Sequence, residues 1–180
     1  MSIFKRKNLC VNNLKPADII FTFNKDSFFS KLIWLVSKFK KNKDFKKPKI
    51  SHVLLYLGNN LIIESSFGGV AIKNIKAFKK KYKIYIGRCI NNFDVDNLKQ
   101  SCIEQAGITK YAYLQIIIIA IKKLFRLHKV GDFQKDAVHC SEFIAAEFKK
   151  VNVDLVPQLH PAETSPLDIY NSNIIKIIDF

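Results

Sequence analysis

The chain is short of acids, arginines and histidines, and each scarcity narrows its chemistry. Only 15 Asp and Glu face 30 Lys and Arg, leaving a net charge of +15 over 180 residues. That field favours an anionic partner such as phospholipid, nucleic acid or cell-wall polymer. Arginine, which reads guanine and phosphate with a two-pronged fork, appears only at isolated points such as Arg88 and Arg126. Sequence-specific recognition of nucleic acid is therefore not expected. Cys10, Cys89, Cys102 and Cys140 contain no C-x-x-C pair and no regular spacing, so no disulfide framework is encoded. The opening residues, Met1 to Lys15, lack the apolar core of a secretory signal, and a reducing, cytoplasmic setting is expected. The longest apolar run, Tyr113 to Ile121, is broken by Gln115 and falls short of the ~20 residues that span a bilayer.

What is present is the composition of a folded protein, 48% apolar and 25% charged, in a length that fits one domain over residues 1–180. A turn at Leu14 to Asp18 delivers an apolar strand, Ile19 to Phe23. Apolar residues then recur every three or four positions from Asp26 to Phe39, a helix capped by Asp26 or Ser27. A first basic stretch, Lys38 to Lys49, is expected to be a loop. Ser51 to Leu57, a Gly58-Asn59-Asn60 turn and Leu61 to Ser65 read as a β-hairpin. A second basic stretch, Lys73 to Lys83, likewise expected to be a loop, precedes a strand at Ile84 to Cys89. Helices are expected from Asp94 or Asp96 to Gly107, from Tyr111 to about Leu127, and, as the last, from Cys140 to about Lys150. A proline-punctuated loop, Pro157 to Pro166, and a last strand, Asn173 to Asp179, close an α+β order in which an antiparallel sheet packs against helices.

A cysteine nucleophile needs thiolate character, a base within hydrogen-bond reach, and a group that orients the base. Cys140 stands at the start of a predicted helix, where the positive end of the dipole favours the thiolate and free N–H groups suit an oxyanion. Among the histidines, His52 opens a strand whose hairpin partner carries Glu64, whereas His128 and His160 read as surface residues. With a three-residue turn, Leu57 faces Leu61, Leu54 faces Glu64 and His52 faces Ser66, so His52 and Glu64 share one face of the sheet. A two-residue turn sends Glu64 to the other face. Taken singly, each residue also has an ordinary role, the Cys as a small buried apolar group and the His and Glu as solvated strand positions.

These residues carry a resemblance. Ser51-His52-Val53-Leu54-Leu55-Tyr56-Leu57-Gly58 with Ile62-Ile63-Glu64-Ser65, and later His139-Cys140-Ser141-Glu142-Phe143, resemble the circularly permuted branch of the NlpC-type papain-like superfamily. That branch includes the YiiX-like proteins and the lecithin:retinol acyltransferase-like enzymes, and in it, as here, the His precedes the Cys. Leu14-Lys15-Pro16-Ala17-Asp18-Ile19-Ile20 resembles the family's opening "pGD-apolar" strand, with Ala17 in place of Gly, and Ser165-Pro166-Leu167-Asp168-Ile169 its closing segment. The resemblance implies a papain-like fold, Cys140 as nucleophile, His52 as base and acid, and Glu64 as third member. Tyr56 falls where the family often has Tyr, and it and Ser51 are expected to line the substrate site. His139 stands where Asn or Tyr is common; beside Cys140 it suggests zinc, but a zinc site needs four ligands in recognisable spacing, so no metal or cofactor is expected.

The function expected is that of a cysteine hydrolase or acyltransferase working through an acyl-enzyme on a peptide, or on a lipid amide or ester. Two helices with apolar faces and two Lys-rich stretches also suit peripheral contact with an anionic membrane, although both helices read equally well as core. The rival reading is a catalytically idle basic protein of the same fold that holds membrane or nucleic acid.

Overall fold

Ile19-Ile20-Phe21-Thr22-Phe23 is apolar on both sides of the chain, a pattern suited to a strand covered on both faces. The computed structural model describes residues 13–39, 48–66, 68–77, 82–111 and 137–178. In chain order its elements are β1 (Ile19–Asn24), α1 (Phe28–Phe39), β2 (His52–Gly58), β3 (Leu61–Ser66), β4 (Gly69–Asn74), β5 (Tyr82–Cys89) and α2 (Val95–Glu104). There follow β6 (Lys110–Tyr111), β7 (Ala137–Val138), α3 (Cys140–Lys150), α4 (Pro166–Tyr170) and β8 (Ile175–Ile178). The architecture is α+β. Six strands pair antiparallel in the order β4-β3-β2-β1-β5-β8, and β6 and β7 form a separate parallel pair. None of the described helices is long and apolar enough to cross a membrane.

As its sequence requires, β1 lies inside the sheet between β2 and β5 and is buried along both faces. Ile19, Phe21, Val53, Leu55 and Ile63 point to one side, where Leu98 of α2, Phe143, Ile144 and Phe148 of α3, and Leu167 and Ile169 of α4 complete the main core. Ile20, Leu54, Tyr56, Ile62 and Ile86 point to the other and close over Leu14 and Ile75. At Gly87 a Cβ would lie 2.6 Å from Ile175 and 2.9 Å from Phe21, so the close approach of β8 and β1 requires glycine there.

The hairpin differs from both turns considered above. Its loop is the two-residue Asn59-Asn60 turn, with φ of 51° and 62°, as a type I′ turn demands. The pairing slips by one residue between Tyr56 and Gly58: Leu55 faces Ile63 and Tyr56 faces Ile62, but Gly58 faces Leu61. Gly58 at φ 101° accommodates this bulge. The extra residue restores the register of a three-residue turn, and carried along the strands it sets Leu54 opposite Glu64.

Other expectations are corrected. The stretch from Lys73 is not loop throughout: Lys73 and Asn74 end β4, a strand that the sequence did not announce, and a 3₁₀ turn covers Ile75–Ala77. β5 starts two residues early, at Tyr82. Tyr111 belongs to β6 rather than to a helix, and the rest of the expected Ile-rich helix lies outside the described residues. Cys140–Lys150 is not the last helix, because Ser165 caps a further short one at Pro166–Tyr170. Of the first basic stretch, residues 40–47 lie outside the described residues. On α1, Ser27 caps by accepting from the Ser30 N–H at 3.2 Å, Trp34 packs on Phe23, and Leu35 is 46% exposed.

The turn before β1 anchors the sheet's centre. Pro16 and Ala17 occupy its middle, with Ala17 at φ 69°, where a turn of this kind normally takes glycine. Asp18 accepts the Lys15 N–H at 2.8 Å, and its buried carboxylate takes a two-pronged bond from Arg88 of β5 at 2.6 and 2.7 Å. Removing one partner of such a pair strands the other charge. Arg88→Ala is expected to lower stability by about 3 kcal/mol in urea unfolding, and the double variant Asp18→Asn with Arg88→Met to recover part of it. A loss below about 0.5 kcal/mol in Arg88→Ala would contradict this assignment.

Candidate active site

The site is built where the start of α3 meets the start of β2. α3 begins at Cys140 because His139 caps it: Nδ1 of the ring accepts the Glu142 N–H at 3.1 Å, and Glu142 Oε2 accepts the His139 N–H at 3.3 Å. This is a capping box with histidine in the place usually held by Ser or Thr. The other ring nitrogen, Nε2, donates to the Ala162 carbonyl at 3.1 Å, which fixes His139 as the Nε2–H tautomer. Ser141 Oγ donates to the Thr164 carbonyl at 2.7 Å, so the first turn of α3 is tied to the segment before α4. With the Glu142 N–H closed by the cap and the Phe143 N–H bonded to the His139 carbonyl at 2.9 Å, the N–H groups of Cys140 and Ser141 are the first-turn donors that remain among the described contacts.

His52 begins β2 opposite Thr22 of β1. Its Nε2 meets Glu64 Oε2 at 2.5 Å, and its ring also shares a hydrogen bond with the Cys140 thiol. Since Nε2 is committed to Glu64, Nδ1 is the atom left for the sulfur. Glu64 and Cys140 are buried, at 6% and 4% exposure, while the His52 side chain keeps 23%. The three expected residues therefore converge in the order Cys140, His52, Glu64.

Their electrostatics reinforce one another. Burial by itself pulls the His52 pKa down, but Cys140 and Glu64 outweigh it and raise the value to about 10. Burial by itself pushes the Glu64 pKa up, and the bonds from His52 and Lys73 outweigh that, holding it at about 2. Burial pushes the thiols of Cys89 and Cys102 up, which makes them poor nucleophiles. Cys10 and His128 lie outside the described residues. His160 caps the 3₁₀ turn at Pro161–Glu163 by accepting the Ala162 N–H at 3.3 Å.

Two expectations move elsewhere. Ser51 is 1% exposed, with its N–H on the Thr22 carbonyl at 3.0 Å. Tyr56, 5% exposed, holds the Asn60 N–H with its hydroxyl at 3.2 Å and so closes the hairpin turn. Both residues are thus tied into the sheet, Ser51 to β1 and Tyr56 to the hairpin turn. Two residues at the site were missed. His139 was read as a departure and is the cap, and Lys73, counted among loop lysines, bonds Glu64 Oε1 at 2.5 Å. Alternation along Gly69–Asn74 was the signal for Lys73, since it sets Ile62 opposite Lys73 and both on the face of Glu64. Among the described residues, no group of three or more His, Cys, Asp or Glu is arranged to hold a metal, and both ring nitrogens of His139 are already engaged. Comparison of the sequence with models of protein families and with curated proteins finds no match.

A group whose pKa is raised by folding adds stability that is complete below its ordinary value and fades as pH rises through the folded value; a depressed acid behaves in the opposite sense. The His52 contribution is thus complete below pH 6.5 and lost towards about 10, and that of Glu64 complete above pH 4.5 and lost towards about 2. Glu64→Gln is expected to cost about 1–3 kcal/mol between pH 4.5 and 6.5. The difference from wild type should narrow on both sides, as denaturant unfolding across pH will measure. A pH-independent difference would contradict the ion pair.

Proposed function

We propose that the protein is a cysteine hydrolase or acyltransferase of papain-like, permuted NlpC type, acting on an amide or ester carbonyl. The observation that carries this reading is the continuous hydrogen-bonded run from Cys140 through His52 to Glu64. In the proposed reaction the Cys140 thiolate attacks the carbonyl carbon while His52 is held as imidazolium by the carboxylate behind it. The N–H groups of Cys140 and Ser141 receive the developing oxyanion. His52 then passes its proton to the leaving amine or alcohol as the carbon–heteroatom bond breaks, which leaves a thioester on Cys140. Water, deprotonated by the now neutral His52, attacks the thioester and restores the thiol; an acceptor alcohol or amine in its place makes the reaction a transfer. The substrate proposed is a peptide, or a lipid amide or ester, and the charge of +15 favours one presented on an anionic surface.

An activated ester, p-nitrophenyl acetate, tests the first half-reaction. Intact-mass analysis should find one acetyl group, mapped to Cys140; Cys140→Ala should take up none, and His52→Ala should slow acetylation by about 10²-fold or more. Acetylation undiminished in Cys140→Ala would refute the mechanism. Salt-sensitive binding to anionic vesicles with no acetylation would instead identify an idle binding protein.

A further inference from the structure

We propose that Lys73 is a positioning residue of this site, holding the Glu64 carboxylate in the orientation that reaches His52. The inference rests on the reading of Cys140, His52 and Glu64 as a catalytic set and adds a fourth member to it. A glutamate side chain has three torsions, and nothing in its own strand fixes which way the carboxylate plane turns. Here its two oxygens are divided: Oε2 meets His52 Nε2 at 2.5 Å and Oε1 meets Lys73 Nζ at 2.5 Å. Lys73 is steadied in turn by Ser66 Oγ at 3.2 Å. The register of β3 and β4, Ile62 opposite Lys73 and Glu64 opposite Ala71, makes Lys73 and Glu64 diagonal neighbours on one face, within reach for a long side chain.

Burial separates this contact from an ordinary surface ion pair, which contributes little. The Glu64 side chain is 7% exposed and that of Lys73 is 45% exposed, so the lysine reaches in from solvent to a carboxylate that is otherwise enclosed. Without Lys73, Oε1 would lose its only bond among the described contacts, and the carboxylate would gain by rotating towards water and away from His52. Among the described contacts Lys73 bonds Glu64 and Ser66, and it acts on the site through Glu64.

Iodoacetamide measures the effect without a known substrate, because it alkylates cysteine sulfur according to its nucleophilicity, which His52 supports at Cys140 in the proposed site. Alkylation of each cysteine is followed by peptide mass mapping in the full-length protein, with circular dichroism as a check on folding. Lys73→Met should slow Cys140 alkylation about tenfold, within the ~10²-fold that misplacing a reacting group by 1 Å can cost. Lys73→Arg, which keeps a cation in reach of Oε1, should restore most of the rate. In a Glu64→Gln background, Lys73→Met should have no further effect, since the lysine then has no carboxylate to hold. Alkylation at the wild-type rate in Lys73→Met, or a loss that is the same with and without Glu64, would overturn the proposal. Wild-type Cys140 reacting no faster than Cys89 would overturn the catalytic reading itself, and this inference with it.

Discussion

One additional residue in β2 decides whether His52 and Glu64 meet. Side chains alternate along a strand, so a plain two-residue turn at Asn59-Asn60 would leave the glutamate on the wrong face. The bulge at Leu57–Gly58 shifts the register by one and brings Glu64 to within 2.5 Å of the His52 ring. The bulge depends on Gly58 at φ 101° and on a turn closed from behind by the Tyr56 hydroxyl. A residue expected to touch substrate thus earns its place by fixing the hairpin that aligns the site.

From that contact a line of polar partners runs on: the Cys140 sulfur at the start of α3, the His52 ring, the Glu64 carboxylate and the Lys73 ammonium. Each member is held by its neighbours against the cost of burial, and the proposed chemistry draws on the same arrangement. The second anchor, Asp18 with Arg88, follows the same logic away from the site, pairing an enclosed carboxylate with a cation that reaches solvent. The basic excess also acquires local roles. Lys73 serves Glu64, and Lys49 lies 4.9 Å above the Trp34 ring and 5.9 Å from that of Phe23, joining the segment before β2 to α1 and β1.

Much of this was legible in the sequence. The central strand, the hairpin strands and α3 declare themselves through apolar periodicity, and Cys140, His52 and Glu64 through their positions on those elements. The bulge was not legible, because the same Gly58-Asn59-Asn60 string serves either turn length, and the pairing of Tyr56 with Ala17 and Asp18 across to the turn before β1 lies far away in the sequence. β4 escaped notice because it opens in Gly69 and ends in the polar pair Lys73 and Asn74, which leaves only Val70 to Ile72 as an apolar signal. With β4 unseen, Lys73 had no face and no partner. His139 was misjudged for a different reason: histidine is seldom an N-cap, and its role depends on the distant Ala162 carbonyl that sets its tautomer. The short helix at Pro166–Tyr170 had a capping box in Ser165 and Asp168, a local signal that the surrounding prolines obscured.

The account stands or falls on the charge of His52. Nitrogen-15 NMR of protein labelled in its histidine rings observes that charge directly, with His52→Ala providing the assignment. Both ring nitrogens of His52 should be protonated at pH 8 and should titrate near pH 10, and the midpoint should fall in Cys140→Ala because the sulfur is one of the groups that raise it. A His52 ring that is neutral at pH 8, titrating near its ordinary 6.5, would contradict the coupled arrangement on which the site and its proposed chemistry rest.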